Sequence, residues 1–153
     1  MADDAYLIDT NILLRWVKPD DVHYRLVNAA IDHLIEQRSR LCYTSQNLAE
    51  FWNTCTRPAD RNGYGLTIEE ADGRATLIEN TLNLLADNAA IHREWRALIV
   101  ANRVSGTQVH DARLVAAIRV HQVNRILTFN GRDFARYTTV EAFHPGELLN
   151  RPA

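Results

Sequence analysis

The sequence contains the stretch Ala5-Tyr6-Leu7-Ile8-Asp9-Thr10-Asn11, in which four residues typical of a buried strand run directly into a carboxylate. A continuous apolar run of this kind is typical of a central parallel strand, which is covered on both faces. In open α/β sheets, ligands bind beside the carboxyl ends of such strands. Asp9 is therefore predicted to lie at the mouth of a crevice, although this stretch taken alone favours a role as the N-cap of the following helix.

The composition is that of an ordinary globular protein. Its 153 residues suggest a single domain over 1–153, with 46% hydrophobic and 24% charged residues. The formal net charge is −2, so any nucleic-acid binding would rest on a local basic patch. Cys42 and Cys55 are predicted to be small buried hydrophobes in a reducing compartment. Because no apolar run reaches the length of a membrane span and no signal peptide precedes the first strand, we expect a cytoplasmic protein.

Short strands alternate with helices along the whole chain. This alternation predicts an α/β fold in which helices cover both faces of a parallel sheet. Residues 58–66 are polar and hold two glycines, so we predict a mobile surface loop there, and a loose tail from residue 144 onward. The predicted strands cover 5–8, 41–44, 83–86, 125–129 and 140–143, and the predicted helices cover 12–17, 23–38, 45–56, 91–103 and 107–122, with another helix opening at 67–70.

Asp111 is the most informative acid, because it shares the direction of an apolar helix stripe. Leu114, Val115 and Ile118 follow it at i+3, i+4 and i+7, positions that lie on one side of a helix. A buried carboxylate needs a cation, an arginine or a helix N-terminus as its partner, since an unpaired buried charge is costly. Two interpretations stay open: a buried functional acid, or an exposed acid at the start of the helix.

The roles of four further positions depend on how the chain folds. Glu50 lies on the polar side of its helix, which is either a solvated face or the wall of the crevice. Arg57, two turns further along that helix, could hold a phosphate. Asn130 directly follows the fourth strand, as Asp9 follows the first, and Asp133 is either a capping acid or part of the same site.

Convergence of Asp9, Glu50 and Asp111 would place about three negative charges in one crevice with no lysine to balance them. A divalent cation would neutralise such a group. Carboxylate oxygens suit Mg²⁺ or Mn²⁺, and the lack of Cys/His spacing argues against zinc. An acidic site with one or two such ions is typical of enzymes that hydrolyse phosphodiester bonds.

Four sequence motifs together resemble the PIN-domain family of metal-dependent ribonucleases, in particular the VapC-type toxins of type II toxin–antitoxin systems. They occur in the family's order, at about its spacing, across nearly the whole chain. The motifs are Leu7-Ile8-Asp9-Thr10-Asn11, then Thr44-Ser45-Gln46-Asn47-Leu48-Ala49-Glu50-Phe51, then His110-Asp111-Ala112-Arg113-Leu114-Val115-Ala116-Ala117, and finally Leu127-Thr128-Phe129-Asn130 with Asp133-Phe134.

The resemblance implies a three-layer α/β/α fold with a central, mainly parallel sheet of about four to five strands. It implies an endoribonuclease that uses Mg²⁺ or Mn²⁺, bound by Asp9, Glu50 and Asp111. It also implies an antitoxin protein as partner and a homodimer. The residues that would orient the metal-binding carboxylates are Thr10, Asn11 and Thr128.

The chain departs from the family pattern at the fourth acidic position. Many relatives carry an Asp where this chain has Asn130, with Asp133 three residues later. The predicted catalytic set is Asp9, Glu50, Asp111, Asp133 and Asn130. Since Asn130 offers an oxygen but no charge, the number of metal ions stays open, and the alternative is a catalytically weak or silent scaffold that binds RNA or protein.

Other phosphotransfer and hydrolase classes lack support in the sequence. A haloacid-dehalogenase-like phosphatase needs a second Asp where this chain has Asn11, and a response-regulator receiver needs a lysine after a late strand. The only lysine is Lys18. A P-loop is absent, and so is the GxSxG elbow of a serine hydrolase.

Overall fold

The computed structural model describes residues 4–150 and has a five-stranded sheet at its centre. The strands are β1 (Ala5–Ile8), β2 (Arg40–Thr44), β3 (Asn83–Leu85), β4 (Arg125–Leu127) and β5 (Glu141–Phe143). Their order is β3-β2-β1-β4-β5, and every neighbouring pair is parallel. The apolar run at the start of the chain therefore forms the middle strand, as predicted, and its carboxyl end lies at the centre of one sheet edge.

Seven α-helices connect and cover these strands within the described residues. The predicted helices are all present, with end points that differ by a few residues, and the helix predicted to open at 67–70 begins with the capping box of Thr67 and Glu70. The helices are α1 (Thr10–Trp16), α2 (Tyr24–Glu36), α3 (Ser45–Thr56), α4 (Ile68–Thr81), α5 (Ala89–Ala101), α6 (Gln108–Val120) and α7 (Pro145–Leu149).

The side chains of β1 alternate between two hydrophobic cores. Tyr6 and Ile8 pack with α1, α2, α3, α4 and α7 on one face of the sheet. Ala5 and Leu7 pack with α5 and α6 on the other face. All four side chains are buried, which confirms the predicted three-layer α/β/α fold. None of the helices in residues 4–150 has the length and apolar character needed to cross a membrane.

The segment 58–66 lies at the surface but is fastened to α3, which corrects the prediction of a mobile loop. It contains a turn of 3₁₀-helix at Ala59–Arg61. The backbone N–H groups of Tyr64 and Leu66 then donate to carbonyl oxygens of α3, each at 2.9 Å. Both side chains pack against the core that α3 shares with α4. The polar composition hid these two anchors, which depend on contacts with a preceding helix.

Residues 144–150 are also more ordered than predicted, and the rest of the predicted tail, 151–153, lies outside the described residues. Residues from 144 onward were expected to form a loose tail, but His144 caps a short helix with Pro145 at its start. Leu148 is buried in the same core as α2. A helix this short is not stable by itself, so its formation depends on packing that the local sequence does not reveal.

Gly63 is required by close approach of the backbone at the turn after α3. A Cβ at this position would lie 1.9 Å from the carbonyl oxygen of Arg57. We expect Gly63→Ala to lower the free energy of unfolding by about 1–3 kcal/mol, because the backbone has to shift. Gly73→Ala is the matched control, since a Cβ there meets nothing within 4 Å and alanine favours a helix by up to about 1 kcal/mol. Chemical denaturation measures both, and equal stability of the Gly63 variant and wild type would contradict this account.

Candidate active site

The carboxyl ends of β1 and β4 place Asp9 beside Thr128. Asp9 is 8% exposed, and its backbone N–H donates to the Leu127 carbonyl oxygen at 3.0 Å. Its Oδ1 accepts from the N–H of Thr10 at 2.8 Å and caps α1. The two predictions for Asp9 are therefore compatible, because one oxygen caps the helix while the other belongs to the crevice.

The second oxygen of Asp9 is held by two side chains. The hydroxyl of Thr128 donates to Oδ2 at 2.8 Å, and Asn11 Nδ2 donates to it at 3.3 Å. Asn11 Oδ1 in turn accepts from the backbone N–H of Phe129 at 3.3 Å. These contacts fix the orientation of the Asp9 carboxylate against β4. Thr10, Asn11 and Thr128 thus all contact the carboxylate that the resemblance assigns them to orient.

Glu50 projects from the second turn of α3 toward α1. Its Oε1 accepts from the hydroxyl of Thr10 and from Gln46 Nε2, both at 3.4 Å. Gln46 Nε2 also donates to the carbonyl oxygen of His110, at the start of α6, at 2.9 Å. The polar face of α3 is therefore a wall of the crevice between α1 and α6, although Glu50 itself is exposed.

Asp111 and Asp133 complete the acidic side of the crevice. Asp111 lies in the first turn of α6 and is partly buried, and Asp133 lies exposed on a 3₁₀ turn at Gly131–Phe134. Burial raises the pKa of Asp111 to about 6, and repulsion from Asp133 and Asp9 adds to the increase. Each interpretation of Asp111 is partly correct. The residue lies at a helix start, but it is partly buried and close enough to Asp133 and Asp9 for their charges to act on it.

Burial also raises the pKa of Asp9 to about 6, with repulsion from Glu50 and Asp133 adding to the increase and hydrogen bonds from Thr128 and Thr10 opposing it. Glu50 is exposed at the surface, but partial loss of solvation beside its neighbours raises its pKa as well, and the charge of Asp111 contributes. Such mutual effects require the carboxylates to lie close together. The fold therefore gathers four acids from distant parts of the sequence into one electrostatic group.

This group has no paired basic side chain. Within residues 4–150, none of the four carboxylates forms an ion pair with a lysine, arginine or histidine. The charge of His110 lowers the pKa values of Glu50 and Asp111, but this histidine forms no described ion pair with either acid. The described residues also contain no trio of candidate ligands close enough to hold a metal ion. The carboxylate oxygens are nevertheless the donors that a hard divalent cation prefers, and such a cation would remove the repulsion between them.

Two predicted residues stand apart from the four carboxylates. Asn130 is exposed, and its backbone N–H donates to the hydroxyl of Thr128 at 2.9 Å. Arg57 ends α3, where its guanidinium donates to the carbonyl oxygen of Asn62 at 2.8 Å. No contact described for residues 4–150 joins Arg57 to the acidic group, so the structure gives this arginine a role in holding the 58–66 segment.

Sequence reasoning missed three polar residues at this site. Gln46 precedes Glu50 by one helical turn, a spacing that indicates contact. Arg113 donates to Gln46 Oε1 at 3.4 Å and pairs with Asp87 at 3.2 Å. Asn47 is fully buried. Its burial could have been predicted from the sequence, because positions 47, 51 and 55 follow one another at intervals of four along the buried stripe of α3.

The fold and the crevice together define a three-layer α/β/α protein with a carboxylate site at the carboxyl edge of its sheet. A sequence model of the PIN domain matches residues 6–139, which is well over half of the chain. The chain belongs to the PIN-domain family, whose members are generally nucleases. None of the curated proteins matches the chain by sequence.

Solved structures of toxin–antitoxin proteins have the same fold. DNA-bound VapBC from Salmonella typhimurium matches with a TM-score of 0.67 and 17% identity, covering 92% of this chain and 98% of that one. VapBC2 from Rickettsia felis, bound to a promoter DNA fragment, matches with a TM-score of 0.66 and 14% identity, covering 92% and 98%. VapC20 from Mycobacterium tuberculosis, described as a toxin that cleaves the sarcin–ricin loop, matches with a TM-score of 0.62 and 16% identity, covering 86% and 95%. At these identities the likeness establishes the fold.

Proposed function

We propose that this chain is a metal-dependent endoribonuclease and the toxin of a toxin–antitoxin pair. The observation that carries the proposal is the group of four carboxylates at the sheet edge. Burial and repulsion from neighbouring acids raise the pKa values of Asp9, Glu50 and Asp111, and none of the four carboxylates forms an ion pair with a basic side chain within residues 4–150. A purely structural role would not favour such repulsion, since like charges held together destabilise the fold. The RNA substrate is supported by VapC20, a protein of the same fold that is described as a toxin cleaving the sarcin–ricin loop.

Asp9, Glu50 and Asp111 are the residues that would hold Mg²⁺ or Mn²⁺. When bound, such an ion lowers the pKa of an attacking water and offsets charge on the leaving oxygen. The chain's own contribution is to orient the carboxylates. Thr10 and Thr128 donate to Asp9, so its two oxygens keep one orientation without any movement of the backbone.

Asp133 is proposed as the fourth acid of the site. Its charge acts on both Asp9 and Asp111, so it can supply the negative charge that Asn130 lacks. The side chain of Asn130 would offer only a carbonyl oxygen, beside the Thr128 hydroxyl that its backbone contacts. This arrangement favours the nuclease over a silent scaffold, since four acids remain at the site although position 130 is neutral.

The proposed partners follow from the same site. An antitoxin segment that carries an arginine would neutralise the acidic crevice and block RNA, and the similar structures from Salmonella and Rickettsia are described as toxin–antitoxin proteins. A homodimer and a cytoplasmic location, where RNA is available, complete the proposal.

The test is cleavage of a pool of structured and single-stranded RNAs by the purified chain. We expect cutting with Mg²⁺ or Mn²⁺, no cutting with EDTA, and recovery when the metal is restored. Isothermal titration with Mg²⁺ alone accompanies the assay. A folded protein that neither binds the metal nor cuts any RNA would refute the nuclease and favour the scaffold.

Arg57 is proposed to contact the RNA backbone from the end of α3. We expect Arg57→Ala to weaken RNA binding several-fold while Mg²⁺ affinity stays the same, because a phosphate contact is electrostatic and lies outside the metal site. Fluorescence anisotropy with labelled RNA measures the first effect. Because Arg57 also holds Asn62, the melting temperature is recorded in parallel, and Arg61→Ala removes a neighbouring exposed charge as the control. Unchanged affinity for RNA would exclude Arg57 from the site.

A further inference from the structure

We infer that Asn47 is a positioning residue that directs the hydroxyl proton of Thr10 toward Glu50. The inference rests on the proposed function for its catalytic meaning, but its geometry stands independently. Asn47 is fully buried at the start of α3 and touches none of the four carboxylates. Its effect on the site would pass through Thr10.

The orientation of the Asn47 amide is determined by Thr44. The backbone N–H and the hydroxyl of Thr44 lie 3.0 and 2.8 Å from one side-chain atom of Asn47. A backbone N–H can only donate, so the atom it faces has to be the amide oxygen. The backbone N–H of Asn47 completes the arrangement by donating to the Thr44 hydroxyl oxygen at 3.1 Å. The amide nitrogen is thereby turned toward α1.

The amide nitrogen of Asn47 meets the hydroxyl of Thr10. Nδ2 donates to Thr10 Oγ1 at 3.1 Å. Because an amide nitrogen offers only donors, the Thr10 hydroxyl has to send its own proton elsewhere. Its described acceptor is Glu50 Oε1 at 3.4 Å. A chain of hydrogen bonds with one direction therefore runs from the end of β2, through Asn47 and Thr10, to Glu50.

This series of hydrogen bonds also links two proposed metal ligands, Asp9 and Glu50. The backbone N–H of Thr10 donates to Asp9 Oδ1 while its side chain donates to Glu50. Because the Thr10 backbone already holds Asp9, holding the Thr10 side chain in one rotamer sets the distance between the carboxylates of Asp9 and Glu50. The long bond to Glu50 leaves room for tightening when a ligand is present, as is common in unliganded sites. An aspartate at position 47 would accept a hydrogen bond from the Thr10 hydroxyl, whereas Asn47 donates one to it.

Capping of α3 is the competing explanation for Asn47, and Thr44→Val separates the two. Valine removes the capping hydroxyl but keeps the Thr44 N–H and the link from Asn47 to Thr10. Asn47→Ala removes both the side-chain bond to Thr44 and the link to Thr10. Asn47→Ser is the milder second variant, because its hydroxyl can still bond Thr44 but is too short to reach Thr10. Thr10→Val, alone and combined with each Asn47 variant, completes a double-mutant cycle.

Four readouts are used, of which the melting temperature reports loss of the helix cap. Titration with Mg²⁺ alone measures metal affinity, and the ¹³C shift of the Glu50 carboxylate in the metal-free protein reports its hydrogen bonding without requiring a nuclease. Cleavage kinetics separate kcat from KM. We expect Asn47→Ala and Asn47→Ser to lower Mg²⁺ affinity and kcat about tenfold, to move the Glu50 signal, and to leave KM for RNA unchanged. Thr44→Val should lower the melting temperature and change Mg²⁺ affinity, kcat and the Glu50 signal less than Asn47→Ser does, because the Thr44 backbone N–H still holds the Asn47 amide oxygen.

Coupling within the cycle decides the inference. Asn47 substitutions should have no additional effect on the Glu50 signal or on Mg²⁺ affinity once Thr10 is valine. Independent effects, or an Asn47 variant that behaves like Thr44→Val in all readouts, would overturn the positioning role. If wild type cuts no RNA, the proposed function fails while the Glu50 signal still tests Asn47.

Discussion

Asp9→Asn is expected to reduce the rate of RNA cleavage at least about a hundredfold. Loss of a residue that only orients a metal ligand costs up to about a hundredfold, and loss of the ligand itself should cost at least as much. Asparagine has the shape of aspartate, so the helix cap through Thr10 can persist. What it removes is the charge at the centre of the acidic group. Asp111→Asn is expected to act in the same way from the other side of the crevice. Single-turnover cleavage at saturating Mg²⁺ measures both variants.

The control is Asp32→Asn, the same chemical change on an exposed position of α2. It should cut RNA at the wild-type rate. Circular dichroism and thermal melting establish that the site variants remain folded. Loss of fold in both the Asp9 and Asp111 variants would mean that these acids are structural, and wild-type cleavage by either would remove it from the catalytic set.

The metal-free protein is expected to become more stable as the pH falls from about 7 to 5. The pKa of Asp9 rises from its ordinary value of 3.8 to about 6 on folding, and that of Asp111 rises to about 6. Between about pH 4 and 6 the folded protein therefore binds more protons than the unfolded chain, so stability falls as the pH rises through this window. A difference of about two pKa units at the buried Asp9 corresponds to about 3 kcal/mol of destabilisation at neutral pH, of which about 1 kcal/mol is regained by pH 5.

Chemical denaturation across this pH range, with EDTA present, measures the effect. In Asp9→Asn the dependence should be shallower, because one of the three acids with a raised pKa is gone. Saturating Mg²⁺ should reverse the sign, since protons compete with the metal for the same carboxylates. A metal-free protein whose stability rises steadily with pH over this window would show that the acids are not crowded in solution.

Much of the fold was predictable because local patterns and long-range packing agree in this chain. The apolar run at Ala5–Ile8 predicts a central strand, and the helical spacing of apolar residues in α2, α3 and α6 predicts which faces are buried. The two exceptions, the segment 58–66 and helix α7, are held by tertiary contacts with α3 and α2. Their own sequences contain too few apolar residues to indicate this order.

The candidate site was predictable in part for the same reason. Asp9 could be placed at a strand end, because the direction of a parallel sheet brings such ends to one edge. The same prediction for Asn130 was wrong, since β4 ends at Leu127 and Thr128 takes the position beside Asp9. The environment of the α3 face that carries Glu50 could not be predicted, because a polar helix face has the same sequence pattern whether it faces solvent or lines a crevice. Asn47 was overlooked because buried polar residues are recognised by their partners, and those partners lie on β2 and α1.

The sequence by itself determined the order of strands and helices, the central position of β1 and the set of acids available for chemistry. Periodicity and strand-end position are local properties, so they can be read from the chain. Only the tertiary structure decided that Asp9, Glu50, Asp111 and Asp133 act on one another and that Asn47 lies against Thr10. Electrostatic repulsion and hydrogen bonding depend on distances of a few ångströms between residues that are far apart in sequence, and only the packing of α1, α3 and α6 around the sheet sets those distances.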